Sequence, residues 1–280
     1  MQVLLGAAWR LLLTLAVAWL AICVLLFLMQ ERLVFLPNVG GRALVNTPEA
    51  IGLDYEDVTL AAADGVRLHG WFVPAEDARG TVIVFHGNAG NLSHRLDTLR
   101  IFHDLGLNTL LFSYRGYGQS EGRPSEAGLM LDAAAAWEEI TVRRGIPAEE
   151  VILFGRSLGG TVAAQQAAAA TPAALVLEST FTSVPDLAAE LYRIFPVRLL
   201  ARLEFDARAA LAAVEAPILV VHSREDEIVP FSHAEALLDA AGTTAELLEI
   251  RGDHNTGFLR SGQAYRDGLA AFILPRLPAR

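Results

Sequence analysis

The chain has 280 residues, a net charge of −10, 53% hydrophobic and 19% charged residues. That balance leaves ample apolar surface for one large core and excludes a disordered chain. The acidic excess, with no Lys/Arg cluster, excludes phosphate-backbone recognition, so no nucleic-acid partner is expected. Cys23 is the only cysteine, which rules out an intramolecular disulfide and a thiol nucleophile in the soluble part.

Leu11 to Met29 is an uncharged apolar run of nineteen residues between Arg10 and Gln30-Glu31-Arg32. About twenty helical residues cross a bilayer, so the run predicts a single-pass N-terminal anchor over residues 1–30. A cleaved signal peptide is the competing reading, because Arg10 precedes the run and Ala16-Val17-Ala18 fits a small-residue cleavage site. Signal cores, however, are usually about 7 to 15 residues long. Basic residues nearly balance across the run, and the expectation leans toward an extracytoplasmic domain.

Residues 31–54, with Pro37, Asn38, Gly40, Gly41 and Pro48, read as a linker into a domain spanning residues 55–280. Tyr55 to Ala61 and Val66 to Val73 are extended runs flanking Asp64-Gly65, a hairpin signal. Short apolar runs follow at Thr81–Phe85, Asn108–Ser113, Val151–Phe154, Ala174–Leu177, Ile218–Val221 and Ala245–Ile250. Helical patterns lie between them at His94–Leu105, Ser125–Arg144, Leu158–Ala170 and Ser232–Ala241, with a last one at Phe258–Phe272. This alternation predicts an α/β fold, a mostly parallel central sheet with helices on both faces. Residues 180–214 are too long for an ordinary crossover and rich in large apolar residues, so a short helical cap is expected there.

Gly155-Arg156-Ser157-Leu158-Gly159 sits between a predicted strand and a predicted helix, the context a G-x-S-x-G elbow requires. Ser157 is the candidate nucleophile. A serine hydroxyl needs an imidazole to take its proton and a carboxylate to orient that imidazole. Downstream, the loop after Ile218–Val221 offers Glu225, Asp226 and Glu227, and spacing alone does not choose among them. His254 follows the last predicted strand in the chain order Ser, Asp, His, whereas His233 falls in the first turn of a helix, poorly placed to reach Ser157. The loop His86-Gly87-Asn88-Ala89-Gly90-Asn91 follows a strand and matches the position of an oxyanion-hole loop, with the backbone amides of Asn88 and Leu158 as donors. A phosphate cradle is disfavoured there because no Lys-Ser/Thr follows. No metal-ligand spacing is present, so neither a metal nor a cofactor is expected.

With these loops, Tyr114-Arg115-Gly116-Tyr117-Gly118-Gln119-Ser120-Glu121-Gly122 completes a set that resembles the α/β-hydrolase superfamily. Within it, the chain is similar to the bud-emergence-type, membrane-anchored branch related to depalmitoylase and serine-aminopeptidase-like domains. The resemblance covers about residues 50–275. It implies that Asp226, in Asp226-Glu227-Ile228-Val229-Pro230, is the acid and that His254, followed by Asn255, is the base. It also implies a serine hydrolase of the esterase, lipase or thioesterase kind acting on a small-molecule acyl substrate, and the apolar residues of the 180–214 insert together with the bilayer anchor suggest a lipid-like one. An aminopeptidase-like hydrolase and a non-catalytic membrane-tethered scaffold are the alternatives.

Overall fold

The computed structural model describes residues 2–278; Met1 and residues 279–280 lie outside them. Helix α1 (Gln2–Val34) is followed by a segment that leads into eight strands. These are β1 (Glu56–Ala61), β2 (Arg67–Val73), β3 (Thr81–Phe85), β4 (Asn108–Phe112), β5 (Val151–Arg156), β6 (Ala174–Glu178), β7 (Ile218–Ser223) and β8 (Ala245–Ile250). They form one sheet in the order 1-2-4-3-5-6-7-8. Only β2 runs against its neighbours, paired antiparallel with both β1 and β4.

The central strands are buried along their whole length, save Arg156 at the end of β5, which is why they read as apolar runs. Their side chains alternate between two cores. Ile83, Leu153, Leu175 and Val220 point to one face, covered by α3 (Glu126–Glu138), α4 (Leu158–Ala169), α7 (Ala207–Leu211) and α8 (Phe231–Ala241). Val82, Ile152, Val176 and Leu219 point to the other, covered by α2 (Leu96–Asp104) and α9 (Gly257–Ile273). Ser125 caps α3 by accepting the Gly128 amide, and the helix predicted to Arg144 widens into a π-turn at Glu139–Arg143.

Between β6 and β7 the chain makes α5 (Val184–Leu191) and α6 (Val197–Leu200) before it returns to the sheet through α7, so the segment expected as a cap is helical. Helix α1 is long and apolar enough to cross a membrane by length and composition. It runs four residues past position 30, and the segment between α1 and β1 is packed against the domain rather than free. Phe35 and Leu53 are buried, Phe35 meets Phe205 edge to face, and Leu36 forms a parallel bridge to Ala89.

Candidate active site

Strand β5 ends at the sheet's carboxyl edge, and the chain must reverse within one residue to begin α4. Ser157 makes that turn with φ 53° and ψ −121°, a conformation that a non-glycine residue holds only when its surroundings enforce it. Its amide is held by the Glu178 carbonyl at 2.9 Å. Gly159 admits the close approach of α4 to β3, since a Cβ there would fall on the carbonyl oxygens of Phe85 and His86. Gly160 does the same toward the Thr180 side chain.

Asp226 and His254 come from the loops after β7 and β8. The Nδ1–H of His254 donates to Asp226 Oδ2 at 2.8 Å, and both side chains are buried. Asp226 Oδ1 accepts the amides of Ile228 at 3.0 Å and Val229 at 2.8 Å. Burial opposes its charge, but the His254 bond and these amides outweigh it and hold the carboxyl below the usual carboxylate range. The neighbouring acids serve the main chain instead: Glu227 accepts the His254 amide at 3.0 Å and Glu225 the Gly252 amide at 3.1 Å. His222, also beside Asp226 at 3.6 Å, donates its Nε2–H to the Val229 carbonyl at 2.9 Å, and burial lowers its proton affinity. His233 accepts the Thr182 amide at 3.1 Å and lies away from the cavity that Ser157 lines.

Ser157, His254, Asn88 and Leu158 all line one cavity of about 460 Å³. Leu158 opens α4, so its N–H has no partner within the helix. Asn88 is fixed through its other groups. Its carbonyl accepts from Leu36 N at 3.0 Å and Tyr117 Oη at 2.9 Å, and its side chain donates to the Val34 carbonyl at 3.2 Å. His86, at the start of this loop, is buried with Nδ1 on the Gly87 carbonyl at 2.7 Å, and burial brings its proton affinity down to about 3. Arg115 braces the adjacent loop through Asp132 at 2.8 Å and Asp64 at 2.7 Å.

Two sets of residues at the site carry no motif of their own. Arg156, a variable position of the elbow, pairs with Glu178 at 3.2 Å and donates to the His254 and Asn255 carbonyls at 2.7 and 2.8 Å. Glu178 in turn accepts from the buried Tyr265 hydroxyl. Leu26, Gln30, Leu33 and Val34 of α1 line the cavity, together with Leu187 and Leu191 of α5. Among the described residues the lining contains no carboxylate, and no cluster of His, Cys, Asp and Glu is placed to hold a metal ion.

The comparisons with known proteins agree with this architecture. Residues 76–206 match the family model described as serine aminopeptidase, S33. The chain is 37% identical over 265 residues to the Arabidopsis thaliana α/β-hydrolase domain-containing protein WAV2, covering 86% of each. It is 32% identical over 265 residues to the Schizosaccharomyces pombe protein bem46, covering 89% of this chain and 87% of that one. Among solved structures, a Pyrococcus furiosus esterase superposes with a TM-score of 0.72 at 18% identity, covering 88% of this chain and 98% of that one. The strand order, the elbow and the loops at the carboxyl edge define an α/β-hydrolase fold. The chain belongs to the α/β-hydrolase superfamily, in its bud-emergence-type branch.

Proposed function

We propose that this protein is a membrane-anchored serine hydrolase that cleaves an acyl ester or thioester through an acyl-enzyme on Ser157. One observation carries the reading: a single, largely apolar cavity is lined by a strained serine and by a histidine whose far nitrogen is held by a buried carboxylate.

With Nδ1–H committed to Asp226, His254 has Nε2 free to accept the Ser157 proton as Oγ attacks the acyl carbonyl. The carbonyl oxygen gains charge, and the amides of Asn88 and Leu158 are the donors assigned to hold it. Collapse breaks the acyl–oxygen or acyl–sulfur bond, and the leaving group takes the proton from His254. Water then gives a proton to His254 and attacks the acyl-enzyme, and that proton returns to Ser157 as the acid departs. Asp226 keeps its charge throughout.

The lining favours an acyl substrate over a free amine. A peptidase acting at an amino terminus needs a carboxylate for the ammonium, whereas the charged groups in this lining are Arg95 and Arg156, with His254 beside them. Retention of α1 is supported by its packing, because a cleaved segment would take Leu26, Gln30, Leu33 and Val34 out of the cavity wall.

A panel of nitrophenyl esters, acyl thioesters and aminoacyl amides, run against wild type and Ser157→Ala, tests the reading. Ester or thioester turnover that disappears in Ser157→Ala is expected. Turnover of aminoacyl amides alone would favour the peptidase, and no turnover of any substrate would favour a scaffold.

A further inference from the structure

Helix α1 meets the cap along a stripe of residues, with Phe27 beside it under the Arg202 guanidinium at 5.0 Å. Trp19, Cys23, Leu26, Gln30 and Leu33 recur at intervals of four, three, four and three, which places them on one face of the helix. Trp19 Nε1 donates to the Ile194 carbonyl at 3.1 Å, and its ring stacks on Phe195 with centroids 6.4 Å apart. Cys23 is buried. Gln30 donates to the Leu200 carbonyl and accepts the Arg202 amide, both at 2.7 Å. Leu26 and Leu33 open onto the cavity that holds Ser157.

Trp19 and Gln30 are eleven residues apart, about 16 Å along a helix axis. The cap therefore runs beside α1 well into the uncharged run between Arg10 and Glu31. The same segment exposes large apolar side chains: Leu199 is 86% exposed and Ile194 75%. Exposed apolar side chains of this size are unfavourable in water and are satisfied by lipid beside a membrane helix.

We propose that the C-terminal half of α1 and the α5–α6 hairpin form one acyl-chain site that opens into the bilayer, with the acyl chain of a bilayer lipid as its occupant. The anchor is then a wall of the substrate site as well as a tether, and the chain enters sideways between Leu26 and Leu33 on α1 and Leu187 and Leu191 on α5. Catalytic use of this site rests on the serine-hydrolase reading; its occupation by lipid does not.

Full-length protein in phosphatidylcholine vesicles tests both. Leu26→Trp and Leu33→Trp fill the α1 wall, and Leu25→Trp adds the same bulk on a side of α1 outside the cavity. The ratio of kcat/KM for nitrophenyl dodecanoate over butyrate is expected to fall about tenfold in the first two, the lost burial of about two methylenes. It is expected to match wild type in Leu25→Trp. Unchanged ratios in all three would overturn the site. A second readout needs no catalysis: a bimane on Ile194→Cys or Leu199→Cys, in a Cys23→Ser background, is expected to be quenched by doxyl-phosphatidylcholine as strongly as one on Leu25→Cys. A bimane on Val142→Cys, on the body of the domain, is expected to be unaffected. Quenching at Leu25→Cys without quenching at the cap would overturn the opening into the bilayer. Cap quenching in a protein that turns over no ester would leave the lipid site standing and remove the hydrolase reading.

Discussion

Arg156 Nη2 donates to the carbonyl of His254 at 2.7 Å, so the residue preceding Ser157 grips the main chain of the histidine. The same guanidinium reaches the Asn255 carbonyl and Glu178, and it lies over the Phe258 ring at 4.7 Å. A planar fork serves these partners together where an ammonium cannot.

Arg156→Lys is therefore expected to lower kcat about ten- to hundredfold with little change in KM, the equivalent of one or two charge-assisted hydrogen bonds that position His254. Steady-state kinetics on a short-chain ester checks this. A rise in KM at constant kcat would instead make Arg156 a substrate-binding group.

Asp226→Asn keeps the side-chain shape but removes the charge that faces His254 Nδ1. A fall in kcat of about 10⁴ is expected, because the imidazole loses its fixed tautomer. The acid also bears on stability. Its folded proton affinity is depressed, so its contribution is fully present above the usual carboxyl value of 3.8 and disappears as pH falls through the lower folded value. Asp226→Asn is expected to flatten the stability profile in that acid window alone, as read from denaturant midpoints.

At milder acidity the buried histidines dominate. His86 stays neutral in the folded chain down to about pH 3, whereas an unfolded histidine takes up a proton near 6.5. Both His222 and His233 are shifted in the same direction by burial. Stability is expected to be full above about pH 6.5 and to fall below it, His86 alone contributing up to about 1.4 kcal/mol per pH unit. Denaturant midpoints that do not change between pH 7.5 and 5 would contradict this.

Gly159→Ala tests the elbow's packing. The added methyl meets backbone oxygens of Phe85 and His86, which cannot rotate away. A loss of about 3 kcal/mol is expected, visible as a lower melting temperature. A thermally neutral variant would mean that α4 can shift away from β3.

Much of this molecule was legible from residue pattern. Burial on both faces makes the central strands read as apolar runs, and the elbow announces itself because a strand, a one-residue reversal and a helix all constrain it. The choice among Glu225, Asp226 and Glu227 was not legible from spacing. All three stand in one loop; the family resemblance singles out Asp226, and the fold brings its carboxylate to an imidazole while the other two meet amides. Arg156 carried no signal, since the motif leaves its position open. The stripe on α1 was hidden for a different reason. A helix apolar on every side has no amphipathic face to betray which residues touch protein, so Trp19, Cys23 and Leu26 look no different from Leu12 or Leu28. Likewise, residues 31–54 have the composition of a linker, although Phe35 and Leu53 are buried against the domain.

The most direct measurement is to treat purified full-length protein with a fluorophosphonate and map the adduct by peptide mass. A single adduct on Ser157, absent in Ser157→Ala and strongly slowed in His254→Ala, is the expected result. An adduct elsewhere, or ester turnover that persists in Ser157→Ala, would contradict the assignment of Ser157 as nucleophile.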